Sequence, residues 1–303
     1  MKIFQSRVLL ICAVVFFFAV SCDDDDDSNN ENNVNNVNNV NNVNNVNNLN
    51  NVNNVNNTNV WRPTAGTTWQ WQLSDYPVNT TFDMEMYDID LFDVSDNTIE
   101  TLKAEGIIVI CYFSAGSFED WRDDANLWDA ADYGNPLDGW EGEYWVDTRS
   151  ANVREIMQSR LDYAVERGCD GVEPDNVDGY LNDPGFPLTY ETQLDFNLFL
   201  SQEAHARGLS VGLKNDGDQI PDLISHFDWS LNEECVAYDE CDIYRDFIDA
   251  DKPVFHVEYI DAYSEASGVA NTVCNDAQRS GFSTLIKIWD LDEWYYDCAF
   301  MGL

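Results

Sequence analysis

The sequence predicts an α/β fold, a (β/α)8 TIM-like barrel that forms one domain over residues 61–303. Eight short apolar segments with strand character occur in this region, and amphipathic helical patterns separate most of them. Strands and helices that alternate over about 240 residues are typical of such a barrel. A doubly wound open sheet is the alternative that the same alternation allows.

The strands are predicted from runs of four to seven residues that are rich in apolar, β-branched and aromatic side chains. Turn-forming residues punctuate many of these runs. The eight predicted strands are Thr68–Leu73, Met86–Phe92, Ile107–Phe113, Gly171–Pro174, Ser210–Lys214, Trp229–Asn232, Val254–Tyr259 and Thr284–Trp289.

The helices are predicted from six segments with helical periodicity. Glycine follows a basic residue at Arg167-Gly168 and Arg207-Gly208, and it is available for the left-handed turn that commonly ends a helix. The predicted helices are Asn97–Glu105, Ala151–Arg167, Tyr190–Arg207, Asp218–Ser225, Ile243–Asp249 and Ala266–Arg279.

Residues 1–22 predict an export signal. A basic start precedes the apolar stretch Val8–Val20, whose 13 residues are too few to span a bilayer, which takes about 20. Ala19-Val20-Ser21-Cys22 resembles a bacterial lipoprotein processing box with Cys22 as the lipid-bearing residue. An ordinary cleaved signal peptide is the alternative. We therefore expect an exported protein that contacts a membrane only through its lipid anchor, or is otherwise secreted.

Residues 23–60 predict a disordered linker. Five aspartates, Asp23–Asp27, precede an Asn-Asn-Val repeat that runs from Asn32 to about Val60. The tract has no aromatic residue and little apolar surface to bury, so folding could not offset its loss of conformational entropy. Stacking of the repeat into a small β-solenoid, or its aggregation, is the alternative.

The folded region is strongly acidic. The chain has 56 acidic and 15 basic residues, and six of these acids and two of these bases precede residue 61. The remaining 50 acids and 13 bases give a net charge of −37. Such a surface repels nucleic acid and attracts polycations. Simple solubility or salt tolerance of an exported protein is the competing explanation.

Cysteine usage agrees with export. Six cysteines in the folded region allow 15 pairings, which the sequence alone does not resolve. Cys235 and Cys241 are close enough in sequence to join the ends of one loop, and Cys274 with Cys298 could tie the last helix to the C-terminus.

The sequence indicates no cofactor and no metal site. No CxxC is present, and the three histidines are scattered, which disfavours zinc. No GxGxxG or GxxxxGK[ST] motif follows a strand, so nothing indicates nucleotide binding.

Carboxylates cluster at the ends of several predicted strands. One such residue is often only a helix cap or a turn former. Several together at the carboxyl edge of a barrel, where active sites lie, predict a shared polar pocket for acid/base chemistry. Glu173 is two residues before Asp175, so both should face the same side of their strand. The five acids at strand ends are Asp175, Asp216, Glu233, Glu258 and Asp290.

Glycosidic bond cleavage suits this composition. Two carboxyl groups can break the bond, one by protonating the leaving oxygen and the other by attacking or by activating water. Tryptophans in the predicted connections could stack on sugar rings, although core packing is the commoner use of any one of them. These are Trp121, Trp128, Trp140, Trp145, Trp289 and Trp294.

Seven ordered motifs carry a family resemblance. They are WQWQL at 69–73, CYFSAGS at 111–117, GCDGVEPDNVD at 168–178, GLKND at 212–216, NEEC at 232–235, YDEC at 238–241 and VFHVEY at 254–259. Together they resemble glycoside hydrolase family 114, the endo-α-1,4-polygalactosaminidases, over almost the whole folded region.

The resemblance implies a TIM-like barrel that hydrolyses α-1,4-linked, galactosamine-rich and therefore cationic polysaccharide, and we expect a monomer. It implies Asp175 and Glu233 as the catalytic pair. A non-catalytic carbohydrate-binding barrel and a hydrolase of another α-linked galactan are the rivals. The expected substrate-binding neighbours are Tyr112, Glu173, Lys214, Asp216, Glu258, Trp289 and Asp290.

Overall fold

Eight parallel strands form a barrel in the computed structural model, which describes residues 60–300. The strands lie close to the predicted positions. In chain order the strands are β1 Trp69–Gln72, β2 Met86–Asp90, β3 Ile108–Ser114, β4 Ser117–Glu119, β5 Tyr133–Pro136, β6 Glu143–Val146, β7 Gly171–Asp175, β8 Ser210–Lys214, β9 Trp229–Glu233, β10 Val254–Ile260, β11 Ser283–Ile288 and β12 Tyr296–Asp297.

The parallel strands follow the order β1-β2-β3-β7-β8-β9-β10-β11, and β12 adds to β11 in the antiparallel direction. Side chains link β1 to β11: Trp69 Nε1 donates to the carbonyl of Ser283 at 3.1 Å. The Ser283 hydroxyl in turn donates to the carbonyl of Thr67 at 3.0 Å. The predicted (β/α)8 barrel is confirmed.

The helices surround this barrel. The three longest of them begin at residues whose side chains cap the first turn. Ser95, Ser150 and Thr189 accept hydrogen bonds from the first turns of α1, α2 and α3, which satisfies N–H groups that lack a partner within the helix. The helices are α1 Asp96–Ala104, α2 Ala151–Arg167, α3 Tyr190–Ala206, α4 Ile220–Leu223, α5 Arg245–Asp249 and α6 Ala266–Val273.

The last helix is shorter than predicted. The sequence pattern extends to Arg279, but α6 ends at Val273. The Arg279 guanidinium folds back and donates to the carbonyls of Val273 and Cys274, so a side chain takes over these terminal acceptors. The helical periodicity of the sequence did not predict this early end of the helix.

The amino-terminal half of the barrel interior is filled with aromatic and aliphatic side chains. Trp69 and Trp229 both pack against Phe255 and are fully buried. Gly212 on β8 makes room for this packing, since a Cβ there would lie 2.2 Å from the ring of Trp229. The apolar layer keeps water out and leaves polar residues at the opposite, carboxyl end.

A small antiparallel sheet, β4-β6-β5, is inserted between β3 and α2. This sheet was not predicted from the sequence. Its strands have three or four residues each, and Pro136 and Gly134 in β5 weaken the strand pattern.

Three disulfides occur in the described part of the chain: Cys235–Cys241, Cys274–Cys298 and Cys111–Cys169. The first two pairs agree with those suggested by the sequence. The third joins β3 to the residue that follows Gly168 at the end of α2, 58 positions along the chain. Sequence spacing gave no reason to choose it.

The predicted export signal, the lipid-bearing Cys22 and the linker up to residue 59 lie outside the described residues, so these predictions remain open. Among residues 60–300, no helix has the length and apolar character needed to cross a membrane.

Candidate active site

A cavity of about 1060 Å³ opens at the carboxyl ends of the barrel strands. Its walls come from the segments after six of the parallel strands and from the β4–β6 insertion, which follows β3. Active sites of (β/α)8 barrels lie at this face. The cavity is therefore the candidate active site.

The lining is acidic and aromatic. Two cations, Arg122 and Lys214, face thirteen acidic residues. The acids are Asp75, Asp90, Asp93, Glu119, Asp138, Glu143, Asp175, Asp178, Glu233, Glu234, Glu240, Asp290 and Asp292. The aromatic residues are Trp71, Tyr112, Trp121, Trp140, Trp145, Tyr238, Tyr259 and Trp289.

Lys214, the last residue of β8, lies at the floor of this cavity and is 3% exposed. Its Nζ is 2.9 Å from Oε1 of Glu173. The same Nζ is 3.2 Å from Oδ1 of Asp175 and 3.3 Å from Oε2 of Glu233. One buried cation thus joins acids from β7 and β9, the strands on either side of its own.

The charge of Lys214 depends on these acids. Burial opposes the ammonium form, but the carboxylates of Asp175, Glu173 and Glu233 outweigh it and raise the Lys214 pKa well above its usual value. Lys214 is accordingly a cation at neutral pH.

Asp175 is fixed by donors other than Lys214. The Tyr112 hydroxyl donates to its Oδ2 at 3.0 Å, and the backbone N–H of Asn176 donates to Oδ1 at 2.7 Å. Asn176 has a left-handed backbone with φ 60°. Gly116 permits this turn, because a Cβ there would lie 1.7 Å from the Asn176 carbonyl oxygen.

Glu233 is held on both carboxylate oxygens. The Tyr259 hydroxyl donates to Oε1, and Asn215 Nδ2 donates to Oε2 at 3.0 Å. Asn215 Oδ1 also accepts from the backbone N–H of Glu233 at 2.9 Å. The Trp289 ring stacks on Tyr259 with a centroid separation of 4.1 Å, so the rim of the cavity supports this donor.

Glu173 lies below the pair and is fully buried. Its Oε2 accepts a hydrogen bond from Trp71 Nε1 at 3.1 Å, while Oε1 faces Lys214. Burial raises the Glu173 pKa to about 7, and Lys214 opposes that rise.

Two predicted substrate-binding acids point elsewhere. Asp216 accepts from Tyr180 and Asn197 and is 2% exposed. Glu258 accepts from the backbone N–H of Val236 at 2.7 Å. Neither lines the cavity. Asp216 instead binds Tyr180 in the segment after β7, and Glu258 binds Val236 in the segment after β9.

The remaining predicted neighbours, Tyr112, Lys214, Trp289 and Asp290, line the cavity. Of the six candidate sugar-stacking tryptophans, Trp121, Trp140, Trp145 and Trp289 also do so. Trp128 is buried in the core, and Trp294 packs on Tyr263 away from the cavity lining.

Sequence reasoning did not assign roles to the two residues that hold Glu233. Asn215 and Tyr259 lie within motifs that drew attention for their acids and their lysine. Asn215 directly follows Lys214, and Tyr259 directly follows Glu258. These positions at strand ends could have predicted that both residues lie in the site.

A second group of buried charges lies beside the pair, on β2 and the insertion. Arg122 donates to Asp90 at 2.7 Å and to Glu119 at 2.8 Å. Glu143 accepts from the Ser117 hydroxyl at 2.8 Å, and burial raises the Glu143 pKa to about 7. Burial likewise raises the pKa of Glu234, which follows Glu233, to about 7.

One group of potential metal ligands occurs among residues 60–300, formed by Cys235, Cys241 and His256. The two cysteines are joined in a disulfide, so neither offers the thiolate that binds a metal.

Two carboxylates on nearby strands, at the base of an acidic and aromatic cleft in a (β/α)8 barrel, are the arrangement typical of glycoside hydrolases. The model of glycoside-hydrolase family GH114 matches residues 50–300. The chain therefore belongs to family GH114 and is a glycoside hydrolase, as predicted from its motifs.

Solved structures agree with this assignment. Ega3 of Aspergillus fumigatus, determined in complex with galactosamine, is 48% identical, with a TM-score of 0.75 over 78% of this chain and 97% of its own. The glycoside hydrolase domain of PelA from Pseudomonas aeruginosa shares the fold at 13% identity, with a TM-score of 0.60 over 77% of this chain and 98% of its own. Among curated proteins, the comparison found no match.

We predict that Lys214→Met lowers the free energy of unfolding at about pH 8 by about 3–5 kcal/mol, because it leaves buried carboxylates without their cation. Without Lys214, the Glu173 pKa rises further above about 7, so the folded state gains a proton as the pH falls. The loss of stability relative to the wild type should therefore be smaller at about pH 5. Urea unfolding at both pH values measures this.

Lys103→Met is the matched control, because Lys103 pairs with Asp170 on the surface. It should cost at most about 1 kcal/mol. A Lys214→Met variant that is as stable as this control at about pH 8 would contradict the structural role of the buried cation.

Proposed function

We propose that this chain is an endo-acting glycoside hydrolase that cleaves α-1,4-linked, galactosamine-containing polysaccharide, with Asp175 and Glu233 as its catalytic pair. The observation that carries the proposal is the contact of both carboxylates with the same ammonium group, that of the buried Lys214. Membership of family GH114 and the 48% identity to a galactosamine-bound hydrolase support it.

The proposed reaction is acid/base cleavage at the anomeric carbon. One carboxyl group protonates the departing glycosidic oxygen, and the other acts on the opposite side of the sugar ring. Lys214 stabilises whichever carboxylate remains ionised. Tyr112 and Tyr259 orient the two carboxyl groups through their hydroxyl donors.

The geometry favours retention of anomeric configuration. Asp175 Oδ1 and Glu233 Oε2 lie 3.2 and 3.3 Å from the same nitrogen, so these two oxygens are at most 6.5 Å apart. Retaining enzymes place their carboxyl groups about 5–5.5 Å apart, while inverting enzymes leave about 6.5–9.5 Å for a water molecule. We therefore infer that one residue attacks carbon directly and that water then hydrolyses the glycosyl-enzyme ester.

The cleft suits a cationic sugar polymer. Acidic residues of the lining far outnumber its two cations and attract the ammonium groups of deacetylated galactosamine, while Arg122 is already paired with Asp90 and Glu119. Trp121 and Trp140 lie in the insertion and are about half exposed, as is Trp289, which follows β11. Flat exposed rings of this kind can stack on sugar faces.

Export and surface anchoring complete the proposal. The three disulfides support an oxidising compartment, as expected for an exported protein. Anchoring through a lipid on Cys22 would tether the barrel by residues 23–60, and the barrel would act as a monomer.

The direct test replaces each proposed catalytic residue by its amide. Asp175→Asn and Glu233→Gln should each lower kcat by about 1,000-fold or more, because an amide can neither protonate the leaving oxygen nor attack the anomeric carbon as a carboxylate does. Release of reducing ends from purified α-1,4-polygalactosamine measures kcat, and circular dichroism establishes folding.

Asp162→Asn, an exposed substitution that should retain full activity, is the control. Near-normal turnover of folded Asp175→Asn would exclude this residue from the pair. A wild-type protein that binds the polymer but releases no reducing ends would instead identify a carbohydrate-binding barrel.

The acidic lining of the cleft predicts a dependence of the reaction on salt. Raising the ionic strength from about 0.01 M to about 1 M shortens the screening length from about 30 Å to about 3 Å. kcat/KM on fully deacetylated polymer should then fall by about tenfold or more, with little change in kcat. A more acetylated polymer has fewer ammonium groups and should lose less. Equal rates at both salt concentrations would show that electrostatic attraction does not assist binding.

A further inference from the structure

Asp88 is a carboxyl group buried inside the barrel below the proposed catalytic pair. It lies in the middle of β2 and is 0% exposed. Among residues 60–300, no N–H or O–H group donates a hydrogen bond to either of its carboxyl oxygens. An ionised carboxylate is seldom left buried without a donor, so the charge state of Asp88 requires explanation.

Its polar neighbour is Glu173 of β7. The two carboxyl groups are within hydrogen-bonding reach of each other. Two carboxylates offer only acceptors, so this contact requires a proton on one of them. The Glu173 oxygens also accept from Lys214 and from Trp71, which are contacts suited to the ionised form.

The groups that surround Asp88 do not include a cation that pairs with Asp88 alone. Charged neighbours come from β7, as Glu173 and Asp175, and from β8, as Lys214. The strands paired with β2 present Trp71 and Ile110 at its level. The Lys214 ammonium already contacts three carboxyl groups.

Burial therefore determines the state of Asp88. Burial raises the Asp88 pKa well above its usual value, and the negative charge of Glu173 adds to this rise. The proton shared by Asp88 and Glu173 belongs on Asp88, because of these two acids Glu173 is the one that contacts the Lys214 ammonium.

We propose that Asp88 is a positioning residue that carries a proton and donates it in a hydrogen bond to Glu173, which stays ionised and anchors Lys214 between Asp175 and Glu233. This proposal rests on the proposed function of that pair. Asp88 itself touches neither member of the pair through a hydrogen bond and acts through Glu173 and Lys214.

Two substitutions separate this role from simple packing. Asn is neutral and can donate to Glu173 as a protonated Asp would, whereas Leu fills a similar space without a donor. Asp88→Asn should keep kcat within about threefold and leave the pH–rate profile unchanged. Asp88→Leu should lower kcat by about 100-fold with KM within about threefold, because Glu173 loses its donor and Lys214 its fixed position.

Several results would overturn the proposal. An Asp88→Asn variant that fails to fold, is as inactive as Asp88→Leu, or shifts the pH–rate profile by about one unit would show that Asp88 acts as an anion. An Asp88→Leu variant with wild-type kcat would show that the donor is not needed.

The proton itself can be observed without substrate. In protein labelled with ¹³C at the aspartate carboxyl carbon, the signal missing from Asp88→Asn should have the shift of a protonated acid. It should not change between about pH 6 and about pH 8. A carboxylate shift, or titration in this range, would overturn the proposal. If the wild type does not hydrolyse polygalactosamine, the proposed function fails, and this spectrum still decides the state of Asp88.

Discussion

The contact of Lys214 with Glu173, Asp175 and Glu233 is the interaction on which the rest of the structure depends. Three acids and one lysine lie together on three neighbouring strands, and the positive charge of the lysine offsets the mutual repulsion of the acids. Burying these charges is unfavourable unless each is paired and hydrogen-bonded. The donors Tyr112 and Tyr259 meet this requirement and fix the carboxyl groups at the same time.

The barrel divides its interior into two parts with different physical roles. Aromatic side chains fill the amino-terminal half, and Gly212 allows the ring of Trp229 to pack closely there. This apolar layer raises the free-energy penalty of an unpaired charge next to it. The buried carboxyl groups of Glu173 and Asp88 are therefore proposed to share one proton. The carboxyl half opens into an acid-lined cleft, to which the proposed function assigns the attraction of a cationic substrate.

The sequence was sufficient for the barrel and for the carboxylates at the ends of its strands, because both follow local rules, whereas the pairing of Asp175 with Glu233 was predicted from the family motifs. Alternating apolar runs located every parallel strand, and the two-residue period placed Glu173 and Asp175 on one face. It could not show that Asp216 and Glu258 turn away from the cavity, since that depends on donors supplied by distant loops. The short strands of the insertion, the Cys111–Cys169 pair and the early end of α6 likewise depend on long-range contacts that leave no local pattern.

The central claim is that one lysine holds two catalytic carboxyl groups close enough for direct attack on carbon. Proton NMR of the products formed in the first minutes of polygalactosamine hydrolysis tests it, because the new reducing end appears before its anomers equilibrate. Initial release of the α-anomer, the configuration of the cleaved bond, is the result predicted by a separation of at most 6.5 Å between Asp175 Oδ1 and Glu233 Oε2. Initial release of the β-anomer would contradict the account, since it would require a water molecule between the sugar and the second carboxylate.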